Sequence, residues 1–141
     1  MISRRLLRAY AATDYRIPAA HLSLTPDRRS PALIAWLRRR QVRRIAIVTA
    51  CNPRSRLLSE QENTARNTAM AAELRAAGLH FVAANGRGHK GDWPEEPGFA
   101  IFDIGLAKLD ALGRRWGQNA ALLAEQSDGR PYFRFFTSVI G

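Results

Sequence analysis

Cysteine is almost missing from this chain of 141 residues, where Cys51 stands alone. One thiol can neither close an internal disulfide nor complete a structural zinc site, and its rarity suits a reducing, cytoplasmic setting. His21, His80 and His89 have no mutual metal-ligand spacing, so neither a metal nor a cofactor is expected. Lysine is scarce as well: Lys90 and Lys108 are the only two among 22 basic residues. Arginine therefore carries the positive charge, and a bias of this kind, typical of an Ala- and Arg-rich background, dilutes the meaning of any single arginine. No apolar run approaches the roughly 20 residues of a membrane span. The opening MISRRLLRAY is basic, but it has neither the continuous apolar centre nor the small-residue cleavage site of a secretory signal. There is no internal repeat, low-complexity tract or domain linker. At 46% hydrophobic and 24% charged, the composition suits one globular domain over residues 1–141 with a real core, with 1–30 as a basic arm and connection packed on it.

Acidic residues are thin in the first third. Residues 1–50 carry eleven arginines against Asp14 and Asp27, a local net charge of +9 out of the chain's +10. The densest cluster is Arg38, Arg39, Arg40, Arg43 and Arg44, at the end of a helix expected over Pro31–Gln41. Cations at a helix C-terminus offset the macrodipole by about 0.3–1 kcal/mol each, a structural reason for the first three. The functional alternative is a nucleic-acid surface built on these five arginines.

The strongest positive signal is IAIVTACNP. An unbroken apolar run from Ile45 to Ala50 stops at Asn52-Pro53, as a central strand does when both faces are buried. The end of such a strand is the usual place for a ligand in an open α/β sheet. Beyond it, Ser59 and Glu62 have capping-box spacing and Gly78 can end a helix, so a helix is expected over Glu60–Ala77. Its inward stripe reads Asn63, Asn67, Met70, Leu74, which turns two asparagines toward the strand end. Asn52, Asn63 and Asn67 either stitch the loop backbone together or bind a ligand.

Further along, strands are expected over Leu79–Ala84 and Gly98–Ile104, then a helix over Leu106–Trp116 with Gly117 as its cap. Two more strands, Asn119–Glu125 and Pro131–Phe136, are joined through Ser127-Asp128-Gly129 as a hairpin. His21–Pro31 reads as a polar connection. The class is α/β in the α+β sense: a mixed sheet with a β-α-β-β-α-β core, open to a ferredoxin-like split βαβ arrangement, plus an N-terminal helix and a C-terminal hairpin strand.

The G-x-G-x-x-G spelled by Gly86–Gly91 follows a strand but does not open a helix, so it is not a dinucleotide site. A loop covering the nearby site, from which His89 and Lys90 can meet a phosphate, fits it better. No P-loop element is present. Trp93-Pro94-Glu95-Glu96-Pro97 holds its carboxylates on a stiff backbone. Trp93 either stacks a ligand ring or plugs the sheet end. Glu96 is the candidate general base, with solvation or pairing to Arg87 as the alternative. Gln118 either reads a ligand or satisfies a loop carbonyl.

Taken in order, Thr49-Ala50-Cys51-Asn52-Pro53, Asn63, Trp93 with Glu96-Pro97, and Gly117-Gln118 resemble the bacterial domain-of-unknown-function family 3293. Tyr10-x-x-Thr13-x-Tyr15 is similar to that family's opening. The resemblance implies a compact bacterial domain whose polar motif positions gather at one site, and it brings no activity with it. Cys51 falls on a variable position of the pattern, which argues against a cysteine nucleophile. The expected site is a pocket of Asn52, Asn63, Asn67, Glu96 and Gln118 with Trp93 as a wall. Such a set suits a neutral, hydrogen-bond-rich small molecule, nucleoside- or sugar-like, with hydrolysis or group transfer on it left open. The competing readings are the arginine-based nucleic-acid module and a protein-interaction domain using an edge strand or the basic helix.

Overall fold

The computed structural model describes residues 2–88 and 94–138. Among them the chain forms α1 (Arg4–Ala11), β1 (Thr13–Ile17), β2 (Leu22–Leu24), α2 (Pro31–Arg40), β3 (Arg44–Val48), α3 (Glu60–Ala76), β4 (Phe81–Gly88), β5 (Glu96–Phe102), α4 (Leu106–Arg115), β6 (Ala120–Glu125) and β7 (Tyr132–Phe135). The local signals act as their chemistry dictates. Ser59 Oγ accepts from the Glu62 amide at 3.1 Å while Glu62 Oε1 accepts from the Ser59 amide, closing the capping box that starts α3. Gly117, at φ +68°, follows α4 where the chain turns back into β6.

The strands line up in the order β2-β1-β4-β5-β3-β6-β7. β5 lies between the two strands of β3-α3-β4, and β3 lies between the two strands of β5-α4-β6. This interleaving is the split βαβ pattern of a ferredoxin-like core. It also makes every neighbouring pair antiparallel, so the sheet is antiparallel throughout the described residues and not mixed. A crossover makes its own two strands parallel, but here each crossover skips over a strand running the other way. The α+β class, the six-element core and the C-terminal hairpin are as the sequence pattern indicates.

Two strands come from a stretch that reads as arm and connection. β1 and β2 extend the sheet beyond β4, and β2 lies inside the expected His21–Pro31 linker. In β1 Thr13, Tyr15 and Ile17 alternate with the charged Asp14 and Arg16, a period-two pattern only five residues long. The Gly-rich segment also begins differently: Gly86 and Gly88 belong to β4 and pair with β1. The expected covering loop, with His89 and Lys90, falls on 89–93, outside the described residues.

The sheet curls. A flat sheet would hold β1 and β7 roughly 24 Å apart at the usual strand spacing. Instead the Tyr15 and Phe133 rings meet edge to face at 6.2 Å, and the Asp27 amide donates to the Pro131 carbonyl at 2.8 Å. On the concave face α2 packs Leu33, Trp36 and Leu37 against Ile17, Leu24, Ile45 and Ile47. On the convex face α3 and α4 bury Met70, Leu74, Leu109 and Leu112 against Ala46, Val48, Ile101 and Leu123. Alternate residues of β3 thus enter two separate cores, which accounts for its apolar run. No helix of the described residues is long and apolar enough to cross a membrane.

Gly98 of β5 sets how closely the sheet can close on β3. A Cβ there would overlap the Val48 carbonyl oxygen and press on Thr49. Gly98→Ala should therefore destabilise the fold by about 1–3 kcal/mol, as overpacking does, read as a lower urea midpoint at unchanged slope.

Candidate functional site

Where β3 ends, the chain turns through 49–55 with Asn52, Arg54 and Ser55 all at positive φ (46°, 56° and 58°). Such a turn leaves peptide groups without sheet partners, and side chains supply them. Asn67 Oδ1 accepts from the Ala50 amide at 3.0 Å, and its Nδ2 donates to the Pro97 carbonyl at 2.8 Å. Asn63 Oδ1 accepts from the Asn52 amide at 2.9 Å, and its Nδ2 donates to Asn52 Oδ1 at 2.9 Å. Gln118 Nε2 donates to the Cys51 carbonyl at 3.0 Å, and Arg66 Nε to the Ala50 carbonyl at 2.6 Å. Asn63 and Asn67, four residues apart on one face of α3, hold the amides of Asn52 and Ala50, two residues apart in the same turn.

Asn52 links this net to a cavity. Its Oδ1 also accepts from the Leu58 amide at 2.9 Å, so two donors hold the side-chain amide in one orientation. Its Nδ2 then faces Glu96 and donates to Oε1 at 3.1 Å. Glu96 opens onto a cavity of about 590 Å³ on the concave face, at the end of β3 and under α1. Asn52, Glu96 and Gln118 line it; Asn63 and Asn67 stand behind it, with their amides on the backbone and on Asn52 and Cys51. Trp93 lies outside the described residues.

The cavity exists because the inward positions near it are small. Gly86, Gly88, Gly98 and Ala120 line it where α2 no longer reaches, and Ile47, Leu122 and Phe133 give it an apolar side. From α1, Leu6, Ala9 and Tyr10 close over it. Tyr10, Ser55 and Asn119 form a second polar corner: Asn119 Nδ2 donates to Tyr10 Oη at 3.0 Å and to Ser55 Oγ at 3.1 Å, and the two hydroxyls are 3.1 Å apart.

Tyr15, Tyr10, Ser55 and Asn119 were not among the residues singled out as site candidates from spacing alone. Two signals were available: the Tyr10-x-x-Thr13-x-Tyr15 similarity to the family's opening, and the Thr13-x-Tyr15-x-Ile17 alternation, which puts the Tyr15 ring on the inward face. Burial above all, reinforced by Tyr10 and by the negative charge of Glu96, holds the Tyr15 phenol's pKa well above its ordinary value of 10. Burial likewise raises the Cys51 thiol, against the opposing hydrogen bond from Thr49; the side chain is 2% exposed and packed beside Pro97 and Asn67. Those are the conditions of an inert packing group.

The arginine cluster separates into different tasks. Arg44 pairs with Glu125 across β3 and β6 at 2.9 Å, and the Arg40 guanidinium lies 5.3 Å from the Trp36 ring and 5.2 Å from that of Phe102. Arg38, Arg39, Arg40 and Arg43 are all exposed. All five lie toward the start of β3, and the cavity lies at its other end. Among the described residues, no group of three or more His, Cys, Asp or Glu side chains is placed to hold a metal ion.

Asn63→Ala should leave the buried Asn52 amide without its acceptor and cost about 1–3 kcal/mol, measured by urea unfolding. Tyr15 should make stability fall in alkali. Its folded pKa lies above the unfolded value, so its contribution is complete below about pH 10 and is lost as pH rises through the folded value. Tyr15→Phe should flatten that alkaline decline, leaving the smaller part due to Tyr132, whose pKa burial and Glu125 push up to about 12.

The chain matches a family model described as a protein of unknown function, DUF3293, over residues 48–121, a span that includes Asn52, Asn63, Glu96 and Gln118. Comparison with curated proteins and with solved structures gave no match. The matched span is just over half of the chain, and on that ground the chain belongs to the DUF3293 family.

Proposed function

We propose that this DUF3293 chain binds a small, neutral, hydrogen-bond-rich molecule of nucleoside or monosaccharide size in the concave cavity. The observation that carries the reading is the cavity itself: about 590 Å³, apolar on one side, with a carboxylate, amides and hydroxyls on the other. Its volume falls within the roughly 300–1,000 Å³ usual for ligand sites, and a few oriented polar groups in an apolar lining are what such sites contain. Backbone held in the left-handed region at three positions of 52–55 adds support, because strain of this kind clusters at functional sites. Asn52, Glu96 and Gln118 touch the ligand in this reading, and Asn63 and Asn67 hold the turn that presents them. Hydrolysis or group transfer on the ligand would use Glu96 as its base.

The nucleic-acid reading draws less support. Arg44 is paired with Glu125, and the exposed Arg38, Arg39, Arg40 and Arg43 form a group away from the cavity.

A thermal-shift panel of nucleosides and monosaccharides tests the proposal, with Gly88→Val as its control. Gly88 lines the cavity, and no heavy atom lies within 4 Å of where its Cβ would stand, so valine fills ligand space without a clash. A binder at about 100 times its Kd should raise the melting temperature by on the order of 10 °C. Gly88→Val should melt within a few degrees of the parent and lose that response. A response that survives Gly88→Val would put binding outside the cavity.

A further inference from the structure

Rings from three elements make one wall of the cavity: Tyr10 on α1, Tyr15 on β1 and Phe133 on β7. Phe133 meets both tyrosines, with ring centres 5.9 Å from Tyr10 at 40° between the planes and 6.2 Å from Tyr15 at 70°. Neither contact is a parallel stack, the geometry a flat ligand ring can take on such a wall. Ile47 and Leu122 continue the wall with apolar side chains. A monosaccharide carries hydroxyls all round its ring, and those turned to this wall would lose water without gaining a partner. A planar heterocycle keeps its polar atoms on its edge and offers apolar faces.

The Tyr10–Ser55–Asn119 corner lies beside that wall, because Tyr10 belongs to both. Its hydrogen bonds do not close on themselves. Asn119 is only 8% exposed; its Nδ2 donates to Tyr10 Oη and Ser55 Oγ, and its Oδ1 accepts from no group of the described residues. Because the amide meets both hydroxyls as a donor, one of their two hydrogens is used in the 3.1 Å contact between them and the other is left over. An amide acceptor and a hydroxyl donor therefore stand side by side in the cavity lining, both unused within the described residues. Buried polar groups are normally paired. Ser55 is held there at φ 58°, its amide donating to the Asn52 carbonyl at 2.9 Å, a left-handed conformation that a serine adopts only at a cost.

We propose that this corner recognises a planar nitrogen heterocycle of the nucleobase kind by an edge that sets an N–H beside an acceptor atom. Asn119 Oδ1 takes the N–H, a hydroxyl of Tyr10 or Ser55 gives to the acceptor, and the ring lies on the wall of Tyr10, Tyr15 and Phe133. The amino group and neighbouring ring nitrogen of adenine have that pattern, as do the ring N–H and neighbouring carbonyl of hypoxanthine and uracil. A free sugar has no such edge beside a flat apolar face. The site thereby selects the nucleoside over the monosaccharide, and Asn119 is its specificity-determining residue.

Edge recognition rests on the cavity-binding reading, and the experiment separates the two. Calorimetry on the full chain would compare adenosine with purine riboside, inosine with 1-methylinosine and uridine with 3-methyluridine, each second member lacking the N–H, with methyl riboside as a probe that has no base. At least one nucleoside should bind about tenfold or more tightly than its counterpart, the discrimination expected when one hydrogen bond is left unmade. Asn119→Leu should erase that difference, and Asn119→Asp, which keeps an acceptor oxygen, should retain it. If Asn119→Leu does not fold, Tyr10→Phe combined with Ser55→Ala removes the hydroxyl donor and should weaken the tighter nucleoside several-fold. Binding that Gly88→Val abolishes but that distinguishes the members of no pair would overturn the corner and keep the cavity. A difference within a pair that survives Asn119→Leu would overturn the role of Asn119. Methyl riboside or a monosaccharide binding as tightly as the nucleosides would overturn the planar ring. If no nucleoside or monosaccharide binds, the cavity reading falls and the corner with it.

Discussion

At the end of β3 the chain must leave a position buried from both sides, and the peptide groups of 49–52 carry hydrogen-bonding needs that water cannot meet there. Five side chains from outside that turn or within it answer them: Asn63, Arg66 and Asn67 from α3, Gln118 from the start of the last crossover strand's approach, and Thr49 itself, which accepts from the Cys51 amide at 3.0 Å. An unpaired buried group costs about as much as a small domain can lose without unfolding a measurable fraction of its molecules. The net thus ties α3, the end of β3 and the segment before β6 together, and any ligand chemistry at Glu96 is built on it through Asn52.

The curl of the sheet and the run of small inward residues have one joint consequence. Curling brings β1 and β7 into contact through Tyr15 and Phe133 and would leave a closed apolar core if large side chains filled the concave face. α2 fills one half with Leu33, Trp36 and Leu37. The other half is lined by Gly86, Gly88, Gly98 and Ala120, and stays open under α1. Small residues along a strand weaken its packing, so the fold accepts a stability cost at the place where the polar groups converge. Cavity and carboxylate then share one low-dielectric setting, visible in the raised Tyr15 phenol.

Some of the chain's arginines have local structural duties. Arg44 neutralises Glu125, Arg134 pairs with Asp110 through two nitrogens at 2.7 and 2.8 Å, and Arg40 and Arg66 lie over Trp36 and Trp116. Planar guanidinium groups suit such bidentate and stacked roles better than an ammonium. Asp103, at φ 54°, accepts from the amides of both Arg43 and Arg44 at 2.9 Å and so caps the start of β3, the counterpart of the asparagine net at its other end.

Local patterns determined much of this molecule. The apolar Ile45–Val48 run, the Ser59–Glu62 box, the Asn63–Leu74 stripe and the hairpin ending in Gly129 each depend on contacts within a few residues, so composition and spacing show them directly. The family relation and the nearness of Asn52, Glu96 and Gln118 followed from the same motifs. Register and curvature were decided elsewhere. Whether each crossover skips a strand depends on which strands pair, and that made the sheet antiparallel. β1 and β2 exist because an edge at β4 was available to pair with, a condition no local pattern contains. Asn63 and Asn67 face the strand end as their spacing implies, but only the three-dimensional turn shows that their amides are taken up by the backbone and by Asn52 and Cys51. The cavity, and Tyr15 within it, depend on which small residues from three strands fall on the same side of a curled sheet, and sequence distance carries no information about that.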